Sequence, residues 1–440
     1  MNGTPNFTQR IYGMLMESQY WPPGQMLAYQ RSQLKQLLHH ARATVPFYKT
    51  RLDAVFRSNG DIDWDRWHEI PIVARNNLVK DRESMLATKL LDGHGAVRDV
   101  FSSGSSGTPI TTSHNVLEGC VSQAVVYRAQ CWHGMDWSAS SVIWFGNDDQ
   151  KAAWPEGAQL SSWAPDWLGA SQRGKNFAIN RATPEENVLE FILRKGARYL
   201  SGRPKGLQSI ALAAERLNIS MNLDVVTTFS TGVTDDERED FRRIFNARPV
   251  SLYSSGEGCK MAISCHTGTH YHINSELNYL EILDDGGNPC EIGQPGRVII
   301  TPIYNSAQPL IRYEQGDIAI RGPACSCGNL LPVLQEISGR ITHLFRFPDG
   351  KKIAPSLPDQ QFNEGFGSKT WQLVQTGPLT VELRYLQTDP GRAPDRNFAV
   401  EMIRKKLNDN LEIKFVLLQE IPLTSAGKFI QYKSEIPIDN

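Results

Sequence analysis

The chain has no run of eighteen or more apolar residues, so no segment of it reads as a membrane-spanning helix. It also lacks an excess of either charge: 46 Lys and Arg face 47 Asp and Glu, a formal net charge of −1. Such a balance offers no electrostatic footprint for duplex nucleic acid or for an anionic membrane surface. Cysteine is sparse and odd in number, seven in 440 residues, which argues against the disulfide framework of a secreted domain. The start, Met1-Asn2-Gly3-Thr4-Pro5-Asn6, lacks the basic-then-apolar order of a secretory signal. These absences point to the cytoplasm. The remaining composition, 40% hydrophobic and 21% charged, is that of a globular protein, and the length suggests two domains.

Leu34, Leu37, Leu38 and Ala41 recur at helical spacing near the amino end, and Pro46 closes the pattern. The adjacent His39 and His40 diverge on a helix, so they read as solvated residues rather than a metal pair. A central region alternates strands with capped helices. Thr183-Pro184-Glu185-Glu186 reads as an N-cap, a proline at the first helical position and a capping glutamate, with Gly196 as the stop. Val225 to Phe229 reads as a buried strand; Ser230-Thr231-Gly232 follows, and then a capping box of Thr234 and Glu237. Pro249 to Tyr253 resumes as a strand, giving an α/β rhythm with ligand sites expected at strand ends. From Cys265 to Ile320 the chain turns to β-structure with Gly/Pro breaks. The last hundred residues read as a separate α+β unit: Val381, Leu383 and Tyr385 alternate with polar residues, and Phe398 to Leu407 is amphipathic. The Gly339-Arg340 region is the expected boundary.

A Gly/Ser turn, Ser102-Ser103-Gly104-Ser105-Ser106-Gly107-Thr108-Pro109, follows the strand-like Ala96 to Val100. Small residues let backbone amides converge on an anion, and the hydroxyls add neutral donors, as a phosphate cradle requires. The spacing is not that of the common P-loop, because no Lys-Ser/Thr follows the last glycine. Four more segments come in order: Tyr253-Ser254-Ser255-Gly256-Glu257; Leu310-Ile311-Arg312-Tyr313-Glu314-Gln315-Gly316-Asp317; Ile337-Ser338-Gly339-Arg340; and Ile421-Pro422-Leu423-Thr424-Ser425-Ala426-Gly427-Lys428. In this order the segments resemble those of the adenylate-forming ligase superfamily. Among its branches the chain looks most like the phenylacetate–CoA ligase and capsule-biosynthesis (CapK-like) group, to which Leu37 to Tyr48 and Tyr199-Leu200-Ser201-Gly202-Arg203-Pro204 are also similar.

The resemblance implies an α/β fold with a large ATP- and acid-binding domain (1–338) that includes a β-rich subdomain. A small mobile α+β lid (339–440) would carry Lys428. It also implies a reaction in which a carboxylate attacks the α-phosphorus of ATP, pyrophosphate leaves and an acyl-adenylate forms. The acyl group then passes to a thiol, of CoA or a carrier protein, or to an amine. Such chemistry depends on positioning and charge neutralisation. By resemblance the loop Ser102 to Thr108 holds the leaving phosphates, Tyr253 stacks on adenine, and Gly232 and Ser255 lie at the nucleotide. Glu257 ligates Mg²⁺, and Asp317 accepts from the ribose hydroxyls, a task suited to a group with several acceptor sites and no donor. Arg340 contacts the nucleotide near the domain junction, and Lys428 reaches the carboxylate and α-phosphate as a point charge.

Departures from the family pattern are concentrated near the phosphates. Thr108 stands where a lysine is usual, Gly256 replaces a hydroxyl residue, and Thr342 replaces a hinge acid. A degenerate member that binds nucleotide or a partner without catalysis is the reading these changes motivate. For the acid pocket, Trp144, Phe145 and Phe229 are the candidate walls, and nothing in the sequence selects the acid. Finally, Cys325-Ser326-Cys327-Gly328 is a tight pair, with Cys265 and His272 one β-segment earlier. Three thiolates and one imidazole would close a tetrahedral zinc site; His270 and His266 are rival ligands and Cys259 a spare thiol. The resembled branch often carries such a site apart from catalysis, which implies one structural zinc on Cys265, His272, Cys325 and Cys327.

Overall fold

The computed structural model describes residues 6–101, 110–144, 152–340, 344–353, 355, 357, 359–368, 370–387, 391–421 and 429–436. The chain divides into two compact units: the first comprises Met1–Val100, Thr112–Gln315 and Ala319–Ile337, and the second is dominated by the chain from Ser338 onward.

The first unit is built on one large sheet. Among the described residues its twelve strands run in the order Asn278–Leu283, Pro295–Pro302, Tyr313–Arg321, Val333–Arg340, Tyr271–Ile273, Cys259–Ser264, Arg248–Ser255, Val225–Thr228, Ala197–Gly202, Ser140–Trp144, Asn176–Ile179 and Ala158–Leu160. The five strands from Arg248–Ser255 to Asn176–Ile179 are mutually parallel. Parallel neighbours need crossovers, supplied here by the helices Glu185–Arg194, Pro204–Arg216 and Asp235–Phe245. Their apolar stripes (Val188, Phe191, Leu207, Ile210, Phe241 and Phe245) bury against Val142, Ile179, Leu200 and Val226 of the sheet. Beyond Arg248–Ser255 the sheet turns antiparallel, pairing with Cys259–Ser264 and then Tyr271–Ile273, so the chain's change to β-structure marks a change of strand direction.

Local chemistry sets the helix ends. Thr234 and Glu237 form the expected reciprocal box: the Thr234 amide donates to Glu237 Oε2 at 2.9 Å, and the Glu237 amide donates to Thr234 Oγ1 at 3.2 Å. One residue upstream of Glu185 the expectation fails. Pro184 has an extended ψ of 147° and is itself the cap, so Thr183 makes no capping bond; the helix starts one residue late. Gly196 ends that helix with φ +57°, where a side chain would be strained. His40, expected to be solvated, is buried, with Nε2 2.9 Å from the Ser306 carbonyl oxygen. Its helix (Pro23–Thr44) packs that face inward, and the carbonyl satisfies the ring nitrogen.

A second long helix, Val116–Trp132, is capped by Asn115, whose Oδ1 accepts from the Glu118 amide at 2.9 Å. It is fixed near its other end by Arg128, which is fully buried and holds Glu276 through Nη1 to Oε1 at 2.6 Å and Nη2 to Oε2 at 3.2 Å. Arg128 also donates to Asn274 Oδ1 and to the Leu15 carbonyl, while the Ser18 hydroxyl donates to Glu276. One network thus ties the helix to Phe7–Ser18 and to the turn after Tyr271–Ile273.

The second unit has a four-stranded sheet in the order Glu412–Leu418, Thr380–Leu386, Trp371–Gly377, Tyr432–Ser434. Val381, Leu383 and Tyr385 alternate inward against Phe362, Phe366 and Ile403 of the helices Asp359–Phe366 and Arg396–Lys406. Among the described residues no helix is long and apolar enough to cross a membrane.

Candidate active site and cysteine cluster

The carboxyl ends of parallel strands are where open α/β sheets bind ligands. At those ends lie Trp144, Phe229, Gly232 and the turn from Tyr253 to Glu257. The turn is held from within: Ser255 Oγ accepts from the Gly258 amide at 2.8 Å and donates to Gln315 Oε1 at 3.1 Å. The Gly256 carbonyl accepts from Thr112 Oγ1 at 3.4 Å. Tyr253, on the same strand, is half-buried.

Glu257 is buried, with the Tyr313 hydroxyl donating to its Oε1 at 3.4 Å and Arg75 Nη1 at 3.7 Å from the same oxygen. Oε2 makes no hydrogen bond among the described residues. Arg75 comes to this position because Val73 pairs with the start of strand Tyr313–Arg321, its amide donating to the Arg312 carbonyl and its own carbonyl accepting from the Glu314 amide. Period-two alternation then does the rest. Tyr313, Gln315 and Asp317 occupy the buried face of that strand, and the first two bond to the Glu257 turn. Sequence reasoning assigned Asp317 but not Tyr313, Gln315 or Arg75. The alternation within Tyr313-Glu314-Gln315-Gly316-Asp317 was the available signal.

The other assigned residues are placed as follows. Asp317 is buried on its strand. Phe229 is half-buried and Gly232 exposed, in the loop between Val225–Thr228 and Asp235–Phe245, where Ser230 has φ +78°. Trp144 is part of the core: its Nε1 donates to the Asn180 carbonyl at 3.1 Å, and a Cβ at Gly206 would lie 2.2 Å from its ring. Its indole therefore packs between sheet and helix. Ser102, Ser103, Gly104, Ser105, Ser106, Gly107, Thr108, Phe145 and Lys428 lie outside the described residues, as do Thr342 and the side chain of Arg340.

The cysteines converge elsewhere on the sheet. Cys265, His272, Cys325 and Cys327 bring their ligand atoms within 4.8 Å of one another. Sγ of Cys265 and of Cys325 are 3.7 Å apart, and His272 Nε2 is 3.4 Å from Cys327 Sγ. Zinc bonds of about 2.3 Å to sulfur and about 2.0 Å to nitrogen, at the tetrahedral angle, place such ligands roughly 3.5–3.8 Å apart. The donor set therefore fits zinc. Amides donate to the sulfurs, from Thr267 to Cys265, from Cys327 to Cys325 and from Asn329 to Cys327, which favours thiolates. Burial pushes the His272 imidazole down to about 4, leaving it neutral and able to donate a lone pair, and its Nδ1 faces the Leu331 carbonyl at 3.4 Å. Of the rivals, His270 contacts Cys325 Sγ at 3.0 Å as an outer partner, His266 is exposed, and Cys259 lies apart beside Glu118.

No protein-family model matches the sequence, and no curated protein matches it. Solved structures do. A 2-hydroxyisobutyryl-CoA ligase in the postadenylation state is 17% identical with a TM-score of 0.71, over 100% of this chain and 94% of that one. An anthranilate CoA ligase in complex with anthranoyl-AMP is 15% identical with a TM-score of 0.51, over 76% of this chain and 65% of that one. The amide bond synthetase McbA from Marinactinospora thermotolerans is 17% identical with a TM-score of 0.50, over 75% of this chain and 66% of that one. At these identities the likeness is one of architecture, and by architecture the chain has the adenylate-forming ligase fold.

Proposed function

We propose that this protein is an AMP-forming ligase that converts a carboxylic acid and ATP to an acyl-adenylate and pyrophosphate, then passes the acyl group to a thiol or an amine with release of AMP. The observation that carries the reading is Glu257: a buried carboxylate at the carboxyl end of the parallel sheet, with one oxygen steadied by Tyr313 and Arg75. A second oxygen with no hydrogen bond among the described residues suits magnesium, which takes one or two protein carboxylates and fills its sphere with phosphates and water. Glu257 would hold that ion, which when bound neutralises charge on the departing pyrophosphate. Tyr253 would carry the adenine and Asp317 the ribose. Lys428, Arg340 and the loop Ser102 to Thr108 would complete the phosphate contacts, as the sequence resemblance assigns them.

The subtype that the sequence favours is the phenylacetate–CoA ligase and CapK-like branch. Its candidate acceptors are CoA, a carrier-protein thiol or an amine; the CoA ligases and the amide synthetase among the structural neighbours span both classes. None of the seven cysteines is paired in a disulfide, which suits a reducing cytoplasm. The deciding test is ATP–pyrophosphate exchange against a broad panel of carboxylic acids. Exchange that depends on an acid is expected, falling sharply in Lys428→Ala. ATP binding without exchange for any acid would favour the degenerate binding protein instead.

Cys265, His272, Cys325 and Cys327 would hold one zinc with no open position, a structural role in which it links strand Tyr271–Ile273 to the Cys325–Asn329 turn. Elemental analysis is expected to find about one zinc per chain, reduced several-fold in Cys327→Ser. Zinc-free protein of undiminished thermal midpoint would rule the site out.

A further inference from the structure

A cavity of about 300 Å³ opens against the Ser255–Gly256 turn, one residue before Glu257. It is walled by Arg98 of strand Val97–Phe101, by His114 of strand Thr111–Asn115, by Glu118 in the first turn of helix Val116–Trp132, and by Cys259 and Lys260 after the turn. No aromatic ring of the described residues lines it. Trp144 and Phe229, the walls expected from sequence, are not among its residues.

Its charges are incomplete. Glu118 is fully buried; Oε2 lies 2.7 Å from His114 Nδ1, whose other ring nitrogen meets Thr112 Oγ1 at 2.9 Å. Among the described residues no N–H or O–H donor reaches Glu118 Oε1; the Cys259 thiol beside this carboxylate is a weak donor. A buried carboxylate oxygen with only a thiol to donate to it forfeits a charge-assisted bond, a defect that folded proteins rarely carry without a use. Arg98, which is exposed, and Lys260, which is half-buried, share the lining and form no ion pair among the described residues. Lys260 is pushed down by its burial, so its charge too is held at a cost. Cys259 adds a third irregularity: it holds a left-handed backbone, φ +52°, which a non-glycine residue adopts only at a cost. Burial and the neighbouring Glu118 carboxylate push its thiol well up, so it faces the cavity as a neutral group. A buried carboxylate and two cations lining one cavity are complementary to a small molecule that brings both an N–H donor and a negative charge.

Resting on the adenylation reading above, we propose that this cavity binds the acid and that the acid is a small amino acid. Its ammonium donates to Glu118 Oε1, and its carboxylate lies toward Arg98, Lys260 and the Ser255–Glu257 turn. The volume is at the lower end for ligand pockets and suits such a molecule. The Glu118 carboxylate in this lining selects against unsubstituted aryl and fatty acids, which would leave it without a strong donor.

Two measurements on the full-length protein separate this assignment from the adenylation reading. One is pyrophosphate exchange with free amino acids, their N-acetyl counterparts, and aryl and fatty acids. The other is saturation-transfer NMR binding of the same compounds without ATP. Free amino acids are expected to support exchange, with the N-acetyl forms at least about tenfold weaker. Glu118→Gln is expected to raise the KM for the amino acid about tenfold or more while leaving the KM for ATP in place. Should that variant fail to fold, Lys260→Met carries the same readout. Exchange with aryl or fatty acids but with no amino acid would overturn the pocket assignment and keep adenylation. Amino-acid binding that is lost in Glu118→Gln, without exchange for any acid, would keep the pocket and overturn adenylation. Neither binding nor exchange would sink both.

Discussion

Glu276→Ala is expected to destabilise the protein by about 3–5 kcal/mol, read as a lower urea midpoint. The magnitude follows from what would be left behind. Arg128 and Glu276 are each fully buried and share a bidentate pair of hydrogen bonds. Removing one partner strands the other's charge in the interior, and Asn274 and the Leu15 carbonyl neutralise none of it. Helix Phe7–Ser18 would lose one of its two ties to this network at the same time, since the Ser18 hydroxyl bonds to the same carboxylate. The double change Arg128→Met with Glu276→Leu is a sharp control. It removes both charges together and is expected to be far milder than Glu276→Ala, within about 1–2 kcal/mol of the parent. Equal losses from both proteins would mean that packing, not unpaired charge, dominates at this place.

Glu257→Gln is expected to lower acid-dependent pyrophosphate exchange by about 10²–10³-fold with the fold intact. The amide keeps the shape and can still accept from the Tyr313 hydroxyl, so the loss isolates the carboxylate charge. Tyr313→Phe gives the comparison: it deletes a neutral donor at 3.4 Å and is expected to cost about tenfold or less. If Glu257→Gln retained more than a third of the parent rate, the carboxylate would not be the magnesium ligand, and the site would have to be sought elsewhere.

Local chemistry was the most legible layer of this sequence. The Thr234–Glu237 box, the stop at Gly196 and the inward alternation of Val381, Leu383 and Tyr385 each depend on residues within a few positions of one another. The cysteine cluster was legible through the family resemblance more than through spacing, since a Cys-x-Cys pair is not diagnostic alone and His270 and His266 stood as rivals to His272. His40 and Pro184 misled because tertiary context decided them: a carbonyl 266 residues away satisfied the imidazole, and an extended proline backbone displaced the cap by one place. The cavity around Glu118 was unreadable for a different reason. Arg98, Glu118 and Lys260 are ordinary surface residue types, and only the return of strand Cys259–Ser264 past helix Val116–Trp132 makes them neighbours. Tyr313 lay between these cases, visible once its strand was counted in twos.

The Cys-His cluster has a consequence in time. Cys265 and Cys325 are 60 residues apart in the chain, and their sulfurs meet only after strands Cys259–Ser264 and Tyr271–Ile273 have paired and Val333–Arg340 has docked beside them. Contacts of such sequence separation form late. A metal that needs all four groups would therefore be captured at the end of folding, and its uptake by a newly made chain would be a clock for completion of the sheet.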